Sequence, residues 1–146
     1  MKKFILILIV TTFSFISYAK SLLNVDIPEV IANAIATKFP GANDIKWNQS
    51  DNMYVVSFEV NKTDYKALVD KKGNVGMFKQ RMITSELPNT VLSKVSSAYK
   101  NQKIKNVEKV IKDGQVYYQM DIVSRKFFAK MVYTEDGEPN TINYWY

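Results

Sequence analysis

The stretch YVVSFEVNKTDYKALVDKKG, from Tyr54 to Gly73, determines how the rest of the chain is interpreted. Apolar and polar residues alternate through its first seven positions, which is the period of a β-strand with one buried face. Asn61-Lys62-Thr63-Asp64 then has the composition of a turn, and a second alternating run follows up to Val69. The stretch therefore predicts two antiparallel strands, closed by a further turn at Asp70-Lys71-Lys72-Gly73.

A similar pattern returns 64 residues later, from Tyr118 to Gly137. Each copy is preceded by apolar residues at i, i+4 and i+8, which predict an amphipathic helix. The two stripes are Ile31, Ile35 and Phe39 in the first copy, and Val91, Val95 and Tyr99 in the second. Pro28 and Pro88 stand where proline is tolerated, in a first helical turn.

The repeated order predicts the fold class. We expect an α+β protein built by tandem duplication of a helix followed by a three- or four-stranded antiparallel sheet, with the helices on one face. Residues 20–85 and 86–146 would be the two repeats, together forming one compact unit. Residues 140–146 are predicted as the last strand, with Tyr144-Trp145-Tyr146 partly in the core.

The first nineteen residues have the composition of a secretory signal peptide. Lys2 and Lys3 precede an apolar run from Phe4 to Ile16, and Ser17 and Ala19 supply small residues before a cleavage site. The run is shorter than the roughly 20 residues that a transmembrane helix needs. We predict cleavage after Ala19 and a periplasmic or secreted protein, without stable membrane insertion once the signal is removed.

Composition excludes several kinds of chemistry. The chain has no histidine and no cysteine, so Cys–His and Ser–His catalysis and ordinary zinc, haem and iron–sulfur sites are not expected. Its net charge of +6 is scattered rather than clustered, so nucleic acid is not an expected partner. Asp64, Asp70 and Asp136 stand in predicted turns, where aspartate favours local hydrogen bonds. We therefore predict no enzymatic activity, no cofactor and no metal.

An ordered set of short motifs resembles a known family. The set is Ile27-Pro28, Lys38-Phe39-Pro40-Gly41-Ala42, Ile45-Lys46-Trp47, Tyr54-x-Val56-x-Phe58 and Asp70-x-x-Gly73. It resembles the PepSY-like domain of exported bacterial proteins, a group related in fold to beta-lactamase inhibitory protein (BLIP). The second half matches more loosely, since Tyr99-Lys100 stands in place of Phe-Pro. The resemblance implies a non-enzymatic exported domain that binds or inhibits another exported protein, such as a peptidase, across its sheet.

The strand face that points away from the helices is the predicted binding surface. Aromatic and aliphatic residues alternate there with charged ones, as on surfaces that bind proteins. The candidate residues are Lys66, Leu68, Tyr117, Asp121, Phe128 and Lys130. Two alternatives stay open: the two predicted sheets pack partly on each other, or the apolar residues are exposed singly and have no role.

A second function is compatible with the same pattern. The protein could instead be an envelope-stress protein or a carrier of a small apolar ligand held between helix and sheet. This alternative predicts a cavity lined by Phe39, Tyr54, Phe58 and Tyr99.

Overall fold

Helices and strands follow one another along residues 27–146, the part of the chain that this computed structural model describes. The α-helices are α1 (Glu29–Lys38) and α2 (Asn89–Ala98), and a short 3-10 helix (Thr84–Glu86) precedes α2. The strands are β1 (Asn43–Ser50), β2 (Met53–Val60), β3 (Thr63–Asp70), β4 (Val75–Arg81), β5 (Lys103–Lys112), β6 (Gln115–Val123) and β7 (Phe128–Thr134). The predicted signal peptide lies outside the described residues.

The seven strands form one sheet in the order β1-β2-β3-β4-β5-β6-β7, and every neighbouring pair is antiparallel. The predicted fold class is therefore wrong. The described chain is mainly one seven-stranded antiparallel sheet with two α-helices, not two units that each have a helix and a small sheet. Pairing of β4 with β5, with Phe78 opposite Ile111, makes the sheet continuous. The predicted division at residues 85 and 86 into two repeats stays a prediction.

Strand β5 was not predicted, and a β-bulge explains why. Its register with β6 shifts between Lys105 and Glu108, and Asn106 in the bulge has a φ of 49°. Ile104 and Val107 consequently both contact the core beneath α2, although they are three residues apart. A bulge breaks the two-residue period on which strand recognition depends, so this segment has the sequence pattern of a linker.

Both helices pack on the same face of the sheet, and the predicted helical stripes are confirmed. Ile31 and Ile35 of α1 are fully buried, and so are Val91 and Val95 of α2. The α1 cluster includes Phe39, Val56, Phe58, Ala67 and Val69. The α2 cluster includes Leu87, Val107, Tyr118, Met120, Ile122 and Tyr133. Burial of about 25 cal/mol per Å² of apolar surface makes these clusters the main source of stability.

The turn that follows β7 packs against α2. After β7, Gly137 adopts a φ of +79° and its N–H donates to the carbonyl of Thr134 at 3.0 Å. The same turn contacts α2, because Thr90 Oγ1 donates to the carbonyl of Glu135 at 3.0 Å. A Cβ at position 137 would lie 2.9 Å from the carbonyl oxygen of Thr90. Glycine is therefore required here by both conformation and space.

Gly137→Ala is expected to destabilise the protein by about 2–4 kcal/mol, because left-handed backbone strain adds to the clash with α2. Gly114→Ala is the matched control, since Gly114 also has a positive φ of +78° but nothing within 4 Å of an added Cβ. It should cost only the backbone strain, about 1–2 kcal/mol. Urea unfolding followed by circular dichroism measures both, and equal losses would contradict the packing of this turn on α2.

Candidate functional site

The second face of the sheet carries no described helix, and we call it the helix-free face. Strand register gives several predicted site residues a neighbour directly opposite on this face. Lys66 pairs with Lys79, and Asp121 pairs with Lys130. Leu68 pairs with Met77, and both are half-buried. The structure therefore brings the predicted residues to one face, although not to one spot on it.

The tail, residues 140–146, crosses this face and covers part of it. Ile142, Tyr144 and Trp145 pack on a cluster formed by Val110, Tyr117, Val132 and Met77. The tail is not a strand, so the predicted last strand is wrong; Tyr133 and Pro139 form an isolated bridge just before it. Tyr117, a predicted contact residue, is consequently buried beneath the chain itself.

A buried glutamine holds the tail by its main chain. Gln119 is 1% exposed, and its Oε1 accepts a hydrogen bond from the N–H of Trp145 at 3.0 Å. Gln119 Nε2 donates to the carbonyl of the same residue at 2.7 Å. Lys79 Nζ donates to that carbonyl as well, also at 2.7 Å. One side-chain amide thus binds both the main-chain N–H and the main-chain carbonyl of Trp145, as the backbone of a neighbouring strand would.

A partly buried ion pair lies beneath this contact. Lys79 is 5% exposed, and its Nζ is 2.9 Å from Glu108 Oε2, which also accepts from Gln119 Nε2. Burial lowers the pKa of Lys79 from its ordinary value, and the hydrogen bond to Glu108 opposes that shift. Lys79 Nζ also lies 5.1 Å from the centre of the Trp145 ring. The pair therefore supports the docked tail from below.

Aromatic rings surround a second lysine where the tail ends. Lys130 Nζ lies 4.2 Å from the ring centre of Tyr144, 4.7 Å from Tyr146 and 5.5 Å from Phe128. Phe128 is 60% exposed and Tyr146 is 74% exposed. We call Phe128, Lys130, Tyr144 and Tyr146 the aromatic–lysine cluster. Two of its three rings, Phe128 and Tyr146, are exposed, and all three surround one positive charge.

Buried Asp121 anchors the aromatic–lysine cluster. Its Oδ1 accepts from Lys130 Nζ at 3.3 Å, and its Oδ2 accepts from Asn106 Nδ2 at 2.6 Å. Burial raises the pKa of the Tyr144 phenol, and the nearby carboxylates of Asp121 and Glu108 raise it further. Tyr144 is therefore held neutral, and Asp121 acts from beneath the surface rather than as a contact residue.

A groove of about 570 Å³ opens beside the tail over the first half of the sheet. Charges of both signs line it: Asp44, Lys46, Glu59, Asp64, Lys66, Lys79, Arg81 and Glu108. Lys66 Nζ donates to the main-chain oxygen of Tyr146 at 3.3 Å, which joins the groove to the end of the tail. The groove and the aromatic–lysine cluster thus form neighbouring parts of one surface.

The structure separates the six predicted residues into two groups. Phe128, Lys130, Lys66 and Leu68 keep accessible surface, whereas Tyr117 and Asp121 are buried. Sequence reasoning missed Gln119 as a contact to the tail, because a glutamine inside a strand carries no distinguishing signal. The aromatic run Tyr144-Trp145-Tyr146 was a signal, but it was interpreted as a last strand partly in the core.

The residues expected to line a ligand cavity do not surround a common space. Phe39 packs against Phe58, with ring centres 4.8 Å apart, in the cluster beneath α1. Tyr99 packs instead against the cluster beneath α2. Within residues 27–146, no three His, Cys, Asp or Glu side chains are grouped so that they could hold a metal ion. Neither α1 nor α2 has the length and apolar character needed to span a membrane.

Comparisons with known proteins show similarity at the level of structure. No protein-family model and no curated protein matches the sequence. A BLIP-like protein from Bacteroides fragilis matches with a TM-score of 0.70 at 20% identity, over 80% of this chain and 84% of that one. A DUF2874 family protein from Bacteroides uniformis matches with a TM-score of 0.71 at 20% identity, over 78% and 86%.

A third solved structure, from Bacteroides eggerthii, belongs to a protein provisionally described as periplasmic. It matches with a TM-score of 0.71 at 19% identity, over 78% of this chain and 86% of that one. Identities near 20% carry the fold and no further property. The predicted relationship in fold to BLIP is thereby confirmed, whereas the PepSY-like assignment is not: this chain has the fold of the BLIP-like proteins of Bacteroides.

Proposed function

We propose that this protein is a non-enzymatic, PepSY-like binding module of the bacterial envelope that binds another exported protein through its helix-free face. The aromatic–lysine cluster is the observation that carries the proposal. Two large rings, Phe128 and Tyr146, stay mostly exposed. The composition of the first nineteen residues and the description of the Bacteroides eggerthii relative support export to the periplasm.

Aromatic side chains that their neighbours hold in place are the usual centres of protein–protein interfaces. Phe128 extends from β7, and Lys130 below it is held by buried Asp121. Each large apolar side chain that a partner covers contributes about 1.5–3 kcal/mol. The neighbouring groove offers both signs of charge, which suits the mixed surface of a protein better than a polyanion. If the partner is an enzyme such as a peptidase, coverage of its entrance would inhibit it.

Affinity capture from a periplasmic extract tests this proposal. The tagged full chain should retain at least one exported protein, identified by mass spectrometry. We expect the Phe128→Ala variant to bind that protein about ten-fold or more weakly, a loss of about 1.4 kcal/mol or more. The physical reason is the removal of an exposed ring from the contact.

Val30→Ala is the matched control, because Val30 is an exposed apolar residue on α1, across the sheet from the proposed surface. It should bind the captured protein with unchanged affinity. The proposal fails if the Phe128→Ala variant retains full affinity, or if Val30→Ala loses as much as Phe128→Ala does.

A further inference from the structure

We propose that the helix-free face over β4–β7 is a recognition site for an extended aromatic peptide segment, and that the tail of this chain occupies it in cis. The proposal rests on the proposed function and adds the chemistry of the partner. The partner would present an extended segment of another exported protein, with neighbouring aromatic residues placed as Tyr144 and Trp145 are. That segment would bind by displacing the tail.

The polar contacts recognise main chain rather than a particular side chain. Gln119 binds both the N–H and the carbonyl of Trp145, and Lys79 binds the same carbonyl. Lys66 binds the main-chain oxygen of Tyr146. Any extended segment offers these groups, which is how strand-adding recognition obtains affinity without sequence dependence. Buried Gln119 is therefore a ready-made peptide-binding group.

The ring positions supply selectivity. The Trp145 ring contacts Lys79 and packs over Val110 and Tyr117. The Tyr144 ring lies over Lys130. A cation over an aromatic face contributes about 0.5–2 kcal/mol, depending on its exposure. Two lysines thus favour two neighbouring aromatic residues in whichever segment occupies the site.

The tail packs against the sheet but is not one of its strands. Its last main-chain bond to a strand is the N–H of Asn140 to the carbonyl of Val132, at 2.8 Å. Beyond this point the main chain of the tail forms hydrogen bonds with the side chains of Gln119, Lys79 and Lys66, and with its own Asn140. The tail can therefore leave without breaking any pairing between strands.

An open cleft borders the docked tail. It has a volume of about 410 Å³ and is lined by Met77 and Lys112 of the sheet and by residues 141–145. One flank of the tail therefore lies beside accessible space rather than inside the core.

Because the tail is part of the same chain, it competes strongly with any free segment for the recognition site. A short linker holds its own ligand at an effective concentration in the millimolar range. A free segment of similar intrinsic affinity therefore binds weakly until the tail is loosened. The tail would thus set a threshold that only a tight or locally concentrated partner exceeds.

Native-state hydrogen exchange on the unchanged chain tests whether the tail opens by itself. The Trp145 amide, bonded to Gln119, should exchange about 100-fold or more faster than the paired amides of β5 and β6, because tail opening needs no global unfolding. Equal protection of Trp145 and the strand amides would overturn the proposal. This test uses no variant, so it remains decisive if a substitution prevents folding.

A peptide with the tail sequence NTINYWY, labelled with fluorescein, tests recognition in trans. The full-length Trp145→Ala variant should bind it about ten-fold or more tightly than the unchanged chain does, because its own tail competes less well. Adding Gln119→Leu should weaken that binding about ten-fold or more, through loss of the two main-chain hydrogen bonds. A peptide with Ala in place of the three aromatic residues is the control and should not bind.

Absence of binding to the Trp145→Ala variant, or binding that Gln119→Leu leaves unchanged, would overturn the proposal. A concentration-dependent dimer of the unchanged chain, measured by sedimentation, would assign the site to the tail of a second copy and overturn the choice of partner. Neither the peptide nor the exchange experiment uses the captured protein. Their failure is therefore distinguishable from a failure of the proposed function, which capture alone measures.

Discussion

Glu108→Leu is expected to destabilise the protein by about 3–5 kcal/mol, because it leaves the buried ammonium of Lys79 without its carboxylate. Lys79 Nζ lies 2.9 Å from Glu108 Oε2 and has little access to water. The variant also removes an acceptor from Gln119 Nε2. Urea unfolding of the full chain measures the loss.

The pH dependence of the Glu108→Leu variant provides a specific signature. Burial already lowers the pKa of Lys79 below its ordinary value of 10.5, and removal of the nearby anion lowers it further. Between the lowered folded value and 10.5, the unfolded chain binds a proton that the folded chain has released. Stability of the variant therefore rises with pH through that range.

Two further variants separate this explanation from a general loss of packing. Lys79→Met/Glu108→Leu should recover most of the loss, to within about 1 kcal/mol of the unchanged chain, because no unpaired charge remains. Asp64→Asn breaks the exposed contact of Asp64 with Arg81 at 3.5 Å and should cost at most about 1 kcal/mol. A double variant as unstable as Glu108→Leu would refute the unpaired-charge explanation.

Phe39→Ala is expected to cost about 3–5 kcal/mol, because it removes the ring at the centre of the α1 cluster. The Phe39 ring lies 4.8 Å from Phe58, 5.0 Å from Phe78 and 5.7 Å from Tyr65. No single neighbour can fill the space that it leaves. Thermal and urea unfolding of the variant measure the effect.

Phe128→Ala is the matched control, since it removes the same side chain from a position that is 60% exposed. Its stability should change by about 0.5 kcal/mol or less. This contrast also bears on the carrier alternative. A Phe39→Ala variant whose free energy of unfolding falls by less than about 1 kcal/mol would show that Phe39 borders open space rather than a packed core.

The local elements were predictable because their residues follow simple periods. The helical stripes at Ile31–Ile35 and Val91–Val95 are buried as expected. Val56 and Phe58 of β2 face α1, again as the alternation predicts. Strand β5 was not predicted, because the bulge at Asn106 shifts the alternation of its residues in mid-strand. Pairing of β5 with both β4 and β6 joins the strands into one sheet, which the predicted fold class did not contain.

The sequence predicted which side of the sheet carries the candidate site, but not which residues on that side are exposed. Alternation correctly placed Lys66, Tyr117 and Lys130 on the side away from the helices. It carried no information about the tail, whose contact with Gln119 joins residues 26 positions apart. Tyr117 therefore became part of a small core, while Tyr146 joined the exposed cluster.

The sequence by itself determined the helices, most of the strands, the facing of their side chains and the absence of histidine and cysteine chemistry. These properties depend on neighbours along the chain, where residue period and composition act directly. Only the tertiary structure decided that the strands join in one sheet and that the tail lies across it. Both depend on contacts between distant segments, which form because unpaired strand edges and exposed apolar faces are costly in water.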